Sequence, residues 1–223
     1  MNVSIADREA CLKALAGSRI SVVMSDPRAP ADGLLPSENR DTARMVEARQ
    51  REFAAGRRAA RAAMAPFGYA STPIPQGADR APIWPDGLVG SISHTKKACV
   101  AALALRSDYR SIGIDIEEDS PLEKALWPVI CTETERTWLR SQPEAQQGHL
   151  AKIIFSAKEA VYKCQYPISQ AVFGFDRVDI ALNAKDFSAR FRTDIPPFRT
   201  GTRLSGRYDL ADGLIMTLLH LEA

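Results

Sequence analysis

Three segments of this chain gather residue types that can work on phosphate. In Ile112-Gly113-Ile114-Asp115-Ile116-Glu117, acids alternate with branched apolar residues. Alternate side chains of a strand share a face, so Asp115 and Glu117 point one way and Ile114 and Ile116 the other. Two carboxylates side by side repel each other unless a cation lies between them. Hard oxygen donors of this kind suit Mg²⁺, which takes one or two carboxylates and fills its other positions with water and phosphate oxygens. The same residues would also suit a strand end running into the acidic loop Glu117-Glu118-Asp119.

In the second segment, Phe155-Ser156-Ala157-Lys158-Glu159-Ala160-Val161-Tyr162-Lys163, a helix would set Glu159 and Lys163 on one side, in the orientation that favours an ion pair. That pattern describes either a surface salt bridge or the third carboxylate of a divalent site begun by Asp115 and Glu117. The third segment, Gly90-Ser91-Ile92-Ser93-His94-Thr95-Lys96, offers main-chain N–H groups, hydroxyls, an imidazole and a cation, all useful to a phosphate. A histidine in a turn can equally be structural. An Arg-rich stretch adds to these: Arg40 to Arg61 holds seven arginines against Asp41, Glu47 and Glu52. On a helix Arg49, Arg57 and Arg61 form a stripe, either a solvated face or a dock for a polyanion.

These segments need elements to position them. Arg19 to Ser25 reads as a first strand, followed by a Pro/Gly-rich loop from Pro27 to Pro36. Ser37 is a candidate N-cap, and from there to about Pro66 the density of Ala, Arg and Glu predicts one long or twice-broken helix. Gly68 to Gly87 is a broken connector. Ala98 to Leu105 and Ser111 to Glu117 read as strands joined by the polar turn RSDYR, giving hairpin-like sequence. The second half repeats the order. Helical signals run from Glu123 to Leu139 and Gln146 to Cys164. Strands follow near Arg177 to Leu182, Ala189 to Arg192, Arg203 to Asp209 and Leu214 to Leu221, with Asp212-Gly213 as a hairpin turn. The pattern predicts an α+β protein of two similar halves, 1–119 and 120–223, joined near Ser120-Pro121.

Composition limits the function. The 223 residues carry 29 basic and 27 acidic side chains, a net charge of +2. That balance argues against a dedicated nucleic-acid binder. The four cysteines and three histidines lack metal-ligand spacing, so the cysteines read as reduced thiols. The N-terminal residues lack a signal-peptide core and no apolar run approaches membrane-spanning length. The expectation is a soluble, cytoplasmic chain with no membrane or nucleic-acid partner.

Gly-Ser-Ile-Ser-His, then Ile-Gly-Ile-Asp-Ile-Glu, then Phe-Ser-x-Lys-Glu-Ala-x-x-Lys resemble, in order and spacing, the three signature motifs of the 4′-phosphopantetheinyl transferases of the surfactin- and enterobactin-synthetase type. Arg-x-x-Glu-Phe-x-x-Gly-Arg (Arg49 to Arg57) and Pro-x-Trp-Pro-x-Gly (Pro82 to Gly87) extend the similarity. Phe155 stands where those types often have Trp. The resemblance implies a pseudo-dimer with coenzyme A in the cleft between two α+β halves, and a monomer in solution. It implies transfer of the 4′-phosphopantetheine arm of CoA to a serine of acyl or peptidyl carrier domains, with release of adenosine 3′,5′-bisphosphate.

By the same resemblance Asp115, Glu117 and Glu159 would hold Mg²⁺ (or Mn²⁺) against the CoA pyrophosphate, Ile116 contributing at most its main chain. Glu159 would take the serine proton, and Lys158 and Lys163 would stabilise the transferring phosphoryl. Arg49, Arg57, Arg80, Ser93 and His94 would bind CoA. The alternative is a CoA- or nucleotide-binding protein that no longer catalyses, for which a base such as Glu159 has no use.

Overall fold

The computed structural model describes residues 5–39, 42 and 45–223. Among these described residues five α-helices and eight strands follow in the order α1 (Ile5–Ala16), β1 (Ser21–Ser25), α2 (Glu47–Met64), β2 (Leu88–His94), β3 (Cys99–Leu105), β4 (Tyr109–Glu118), α3 (Trp127–Ile130), α4 (Glu133–Arg140), α5 (Glu144–Ser169), β5 (Val178–Leu182), β6 (Asp186–Phe191), β7 (Arg203–Ala211) and β8 (Leu214–Glu222). The strands make two antiparallel sheets, β1-β3-β2 and β4-β8-β7-β6-β5. α2 packs on the first sheet and α5 on the second, which gives the α+β architecture of two helix-on-sheet halves. Among the described residues no helix is long and apolar enough to cross a membrane.

The strand pairing departs from expectation at one important point. β2 and β3 form a hairpin, but β3 and β4 do not pair; β4 crosses to the edge of the second sheet and pairs with β8, with Asp115 opposite Thr217. Alternation explains why the crossing is stable. Ile112, Ile114 and Ile116 are fully buried together with Val100, Ala102, Met216 and Leu218, residues of both sheets. The edge strands β2 and β4 are then bridged by side chains: Ser91 Oγ accepts from Ile114 N at 3.1 Å.

Gly113 decides how closely α5 can lie on β4. A Cβ there would stand 1.9 Å from the Ala160 carbonyl oxygen, inside any van der Waals contact. Its absence lets the helix descend until Glu159 and Lys163 share a cleft with β4. The β7–β8 turn closes as expected, with Asp212 and Gly213 both at positive φ (52° and 71°), the pairing that matches strand twist.

The helices differ more from the sequence reading. α2 starts at Glu47 after Val46, not at Ser37, which lies in a turn; Arg40, Asp41 and Arg44 lie outside the described residues. The turn is held by buried Glu38, which accepts from Leu35 N and Ile74 N at 2.9 Å and pairs with Arg61. That use of Glu38 replaces the helix start. The 123–139 signal splits into α3 and α4 because Thr132 caps α4 in a reciprocal capping box with Glu135. α5 runs past Cys164 to Ser169, with Pro167 in its last turn, and Gln170 at φ 55° ends it. Met1–Ser4 lie outside the described residues; from Ile5 the N-terminal segment forms α1.

Candidate active site

Between the halves lies a cleft of about 410 Å³. α2 presents Arg49, Phe53 and Arg57, the loop before β2 presents Arg80, β2 presents Ser93 and His94, β4 presents Asp115 and Glu117, and α5 presents Phe155, Glu159 and Lys163. Four motifs spread between Arg49 and Lys163 therefore meet in one place. Lys158 and Ile116 do not line this cleft.

Asp115 is the most enclosed acid of the cleft, 3% exposed. Its Oδ1 accepts from Lys163 Nζ at 2.6 Å and from Ser93 Oγ at 2.8 Å, and its Oδ2 from Ser156 Oγ at 2.8 Å. Ser156 is itself held by Thr217 at 3.0 Å. Lys163 also donates to Ser93 Oγ at 2.9 Å, which leaves one of its three N–H groups for a ligand. Glu117 Oε2 accepts from Lys152 Nζ at 3.0 Å. Burial lifts the Glu117 carboxyl above its ordinary pKa, with that hydrogen bond acting in the opposite direction.

Glu159 differs from both. Among the described residues it has no hydrogen-bond or ion-pair partner within reach, although it is largely buried. Burial raises its pKa above the usual carboxylate range; Lys163 pulls it down, and the charges of Asp115 and Glu117 push it up further. An unpaired, desolvated carboxylate facing a cleft is a better proton acceptor than one in water.

The opposite wall is cationic. Arg57 is 5% exposed and stacks over Phe53 at 4.1 Å, with its Nε donating to Ile74 O at 2.7 Å. It makes no ion pair among the described residues, and burial pushes its pKa down to about 10, still charged at neutral pH. A buried guanidinium without a carboxylate partner is a site waiting for an anion. Arg49 donates to His94 Nε2 and pairs with Glu52 at 3.1 Å. Burial holds His94 below the ordinary imidazole value, opposed by Glu52, so the ring is neutral and accepts from Arg49.

Arg80 sits at φ 70°, a conformation rare for a residue with a side chain. Its loop is tied across to α5 by Tyr166 OH, which donates to Asp79 Oδ2 at 2.9 Å.

One expected residue is placed elsewhere. Lys158 is buried away from this cleft, its ammonium donating to Ile130 O, Glu135 Oε2 and Phe175 O at 2.7 to 2.8 Å. All three donors are used, so none is left for a phosphate. Ile116 points its side chain into the core. Of the arginine stripe, Arg49 and Arg57 reach the cleft, while Arg61 is engaged by Glu38 and Gly33 O. Sequence reasoning missed Glu52, Lys152 and Ser156 as parts of the site. Lys152, Ser156, Glu159 and Lys163 recur at steps of four, three and four, which marks one helix face and was the available signal.

Comparison with known proteins decides the family. The profile of the 4′-phosphopantetheinyl transferase N-terminal domain matches residues 37–104, and that of the 4′-phosphopantetheinyl transferase superfamily matches 111–211. The 4′-phosphopantetheinyl transferase Svp of Streptomyces mobaraensis is 36% identical over 204 residues, covering 88% of this chain and 82% of Svp. The chain belongs to the 4′-phosphopantetheinyl transferases. The 4′-phosphopantetheinyl transferase Npt of Nocardia iowensis is likewise 36% identical, over 82% of this chain and 87% of its own. Enterobactin synthase component D of Salmonella typhi is 36% identical over 63% of this chain and 58% of its own length, in keeping with the enterobactin type of transferase. The two profiles bracket the cleft, one ending within β3 and the other beginning within β4.

Proposed function

We propose that this transferase moves the 4′-phosphopantetheine arm of coenzyme A to a serine of an acyl or peptidyl carrier domain, with Glu159 as the base. The observation that carries the reading is the contrast across one cleft: an unpartnered carboxylate of raised pKa on one wall and a buried, ion-pair-free Arg57 on the other. The first suits a hydroxyl nucleophile, the second a phosphate.

A serine hydroxyl is a weak nucleophile at neutral pH, so its proton must leave as it attacks. Glu159 accepts that proton while the serine oxygen bonds to the pantetheine-bearing β-phosphorus. The bond from that phosphorus to the bridging oxygen breaks, and adenosine 3′,5′-bisphosphate departs with the electron pair. Lys163 has one N–H free to meet the charge that builds on the transferring group. Arg57, Arg49 and Arg80 hold the phosphates of CoA. His94, neutral and accepting from Arg49, fixes that guanidinium, and Ser93 orients Asp115. Lys158 acts through α4 and β5 as a structural anchor for α5, not on phosphate.

Among the described residues no three His, Cys, Asp or Glu side chains are gathered closely enough to enclose a metal ion by themselves. The donors nevertheless fit Mg²⁺ or Mn²⁺, which take one or two carboxylates and complete the shell with phosphate oxygens and water. Asp115, Glu117 and Glu159, with the Ile116 main chain as the other candidate, would hold it. When bound, it would neutralise charge on the pyrophosphate.

Intact-mass analysis tests the reaction. With CoA and Mg²⁺ the protein converts apo carrier domains to the holo form and releases one equivalent of adenosine 3′,5′-bisphosphate per transfer. CoA binding without modification of any member of a panel of peptide, polyketide, siderophore and fatty-acid carriers would favour the non-catalytic alternative.

A further inference from the structure

Lys152 is outside the family motifs quoted above, yet it touches the site. It stands on the same face of α5 as Ser156, Glu159 and Lys163, and its Nζ lies 3.0 Å from Glu117 Oε2. The pair is sheltered, with the two side chains only 16% and 24% exposed, so water and salt screen it less than a surface bridge. The ammonium also lies 5.4 Å from the centre of the Phe155 ring, a second favourable contact made from the same position. Each strand acid thus has its own ammonium from α5: Lys163 on Asp115 and Lys152 on Glu117.

A carboxylate oxygen that is bound to an ammonium is a poorer ligand for a divalent ion, and the ammonium charge repels that ion. We propose that Lys152 is a positioning residue that acts as an internal counter-cation. It holds Glu117 in place and competes with a divalent ion for the same oxygen, so that it sets the threshold for metal binding in the cleft. This rests on the reading of Asp115, Glu117 and Glu159 as the metal-holding acids. The competition makes the metal's entry depend more on oxygens supplied by the substrate phosphates. The Phe155 ring is the contact the ammonium would keep once the ion takes Glu117.

The test is titration with Mn²⁺ alone, without CoA, following free Mn²⁺ by electron paramagnetic resonance. Lys152→Met is expected to bind Mn²⁺ about tenfold more tightly than wild type, the scale on which groups around metal ligands act. Lys152→Gln gives the same direction should the methionine variant fold poorly, and Lys152→Arg, which keeps the charge, stays near wild type. Lys124→Met, which removes an exposed pair with Glu144, leaves the affinity unchanged. Unchanged or weaker binding in folded Lys152→Met and Lys152→Gln, with wild type binding normally, overturns the counter-cation role alone. Absence of any wild-type site that Glu159→Gln weakens overturns the metal reading and this inference with it.

Discussion

Glu159 shows most directly how a site trades stability for chemistry. Its carboxyl is held in a desolvated cleft beside two other acids, and its pKa lies above that of an exposed glutamate. A raised pKa means that the folded protein binds a proton more readily than the unfolded chain does. The stability from that proton is fully present below the unfolded value and is lost as pH rises through the folded value. In the interval between the two, stability therefore falls with rising pH. Glu159→Gln removes this contribution. In metal-free buffer the variant is expected to be more stable than wild type at neutral pH and to show a shallower decline across that interval. Urea unfolding at a series of pH values checks this; a variant less stable than wild type at neutral pH would contradict it.

Among the elements, the contact of α5 with β4 governs the site, because one helix carries Glu159, the proposed base, and Lys163, while one strand carries the other two acids. The contact depends on Gly113. In Gly113→Ala the new methyl carbon would meet the Ala160 carbonyl at 1.9 Å, with Cys164 at 2.8 Å, and neither is the mobile tip of a long side chain. α5 must retreat from the strand, which is expected to cost about 3 kcal/mol. Because Glu159 and Lys163 retreat with it, transfer activity should fall even at temperatures where the variant is folded. Urea unfolding and a carrier-modification assay at low temperature measure the two effects. Wild-type stability would mean that the helix has slack at this contact.

At the scale of the molecule, one strand unites the halves: β4 ends the first half in sequence and forms the edge of the second sheet. Most elements were legible in the sequence because their periodicity is local: the apolar run of β3, the alternation in β4 and the Asp212-Gly213 turn each announce themselves within ten residues. What was not legible is long-range. Nothing in RSDYR says whether the strands on either side of it will pair, and here they belong to different sheets. Glu38 looked like the first turn of a helix, but its oxygens are taken by Ile74 N and Arg61, residues far along the chain. In the same way the motif marks Lys158 and Glu159 as equals. They stand about 100° apart on the helix, and what packs on each side decides that Glu159 meets the cleft while Lys158 meets Glu135.

The central claim is that this cleft is a transferase site whose base is Glu159. The most direct measurement compares wild type and Glu159→Gln for transfer of the pantetheine arm to one apo carrier domain, alongside CoA binding by calorimetry. The predicted result is loss of transfer by a factor of about 10² to 10⁴, the usual contribution of a positioned base, with CoA binding largely retained through Arg57 and Arg49. Transfer by Glu159→Gln at the wild-type rate would contradict the claim.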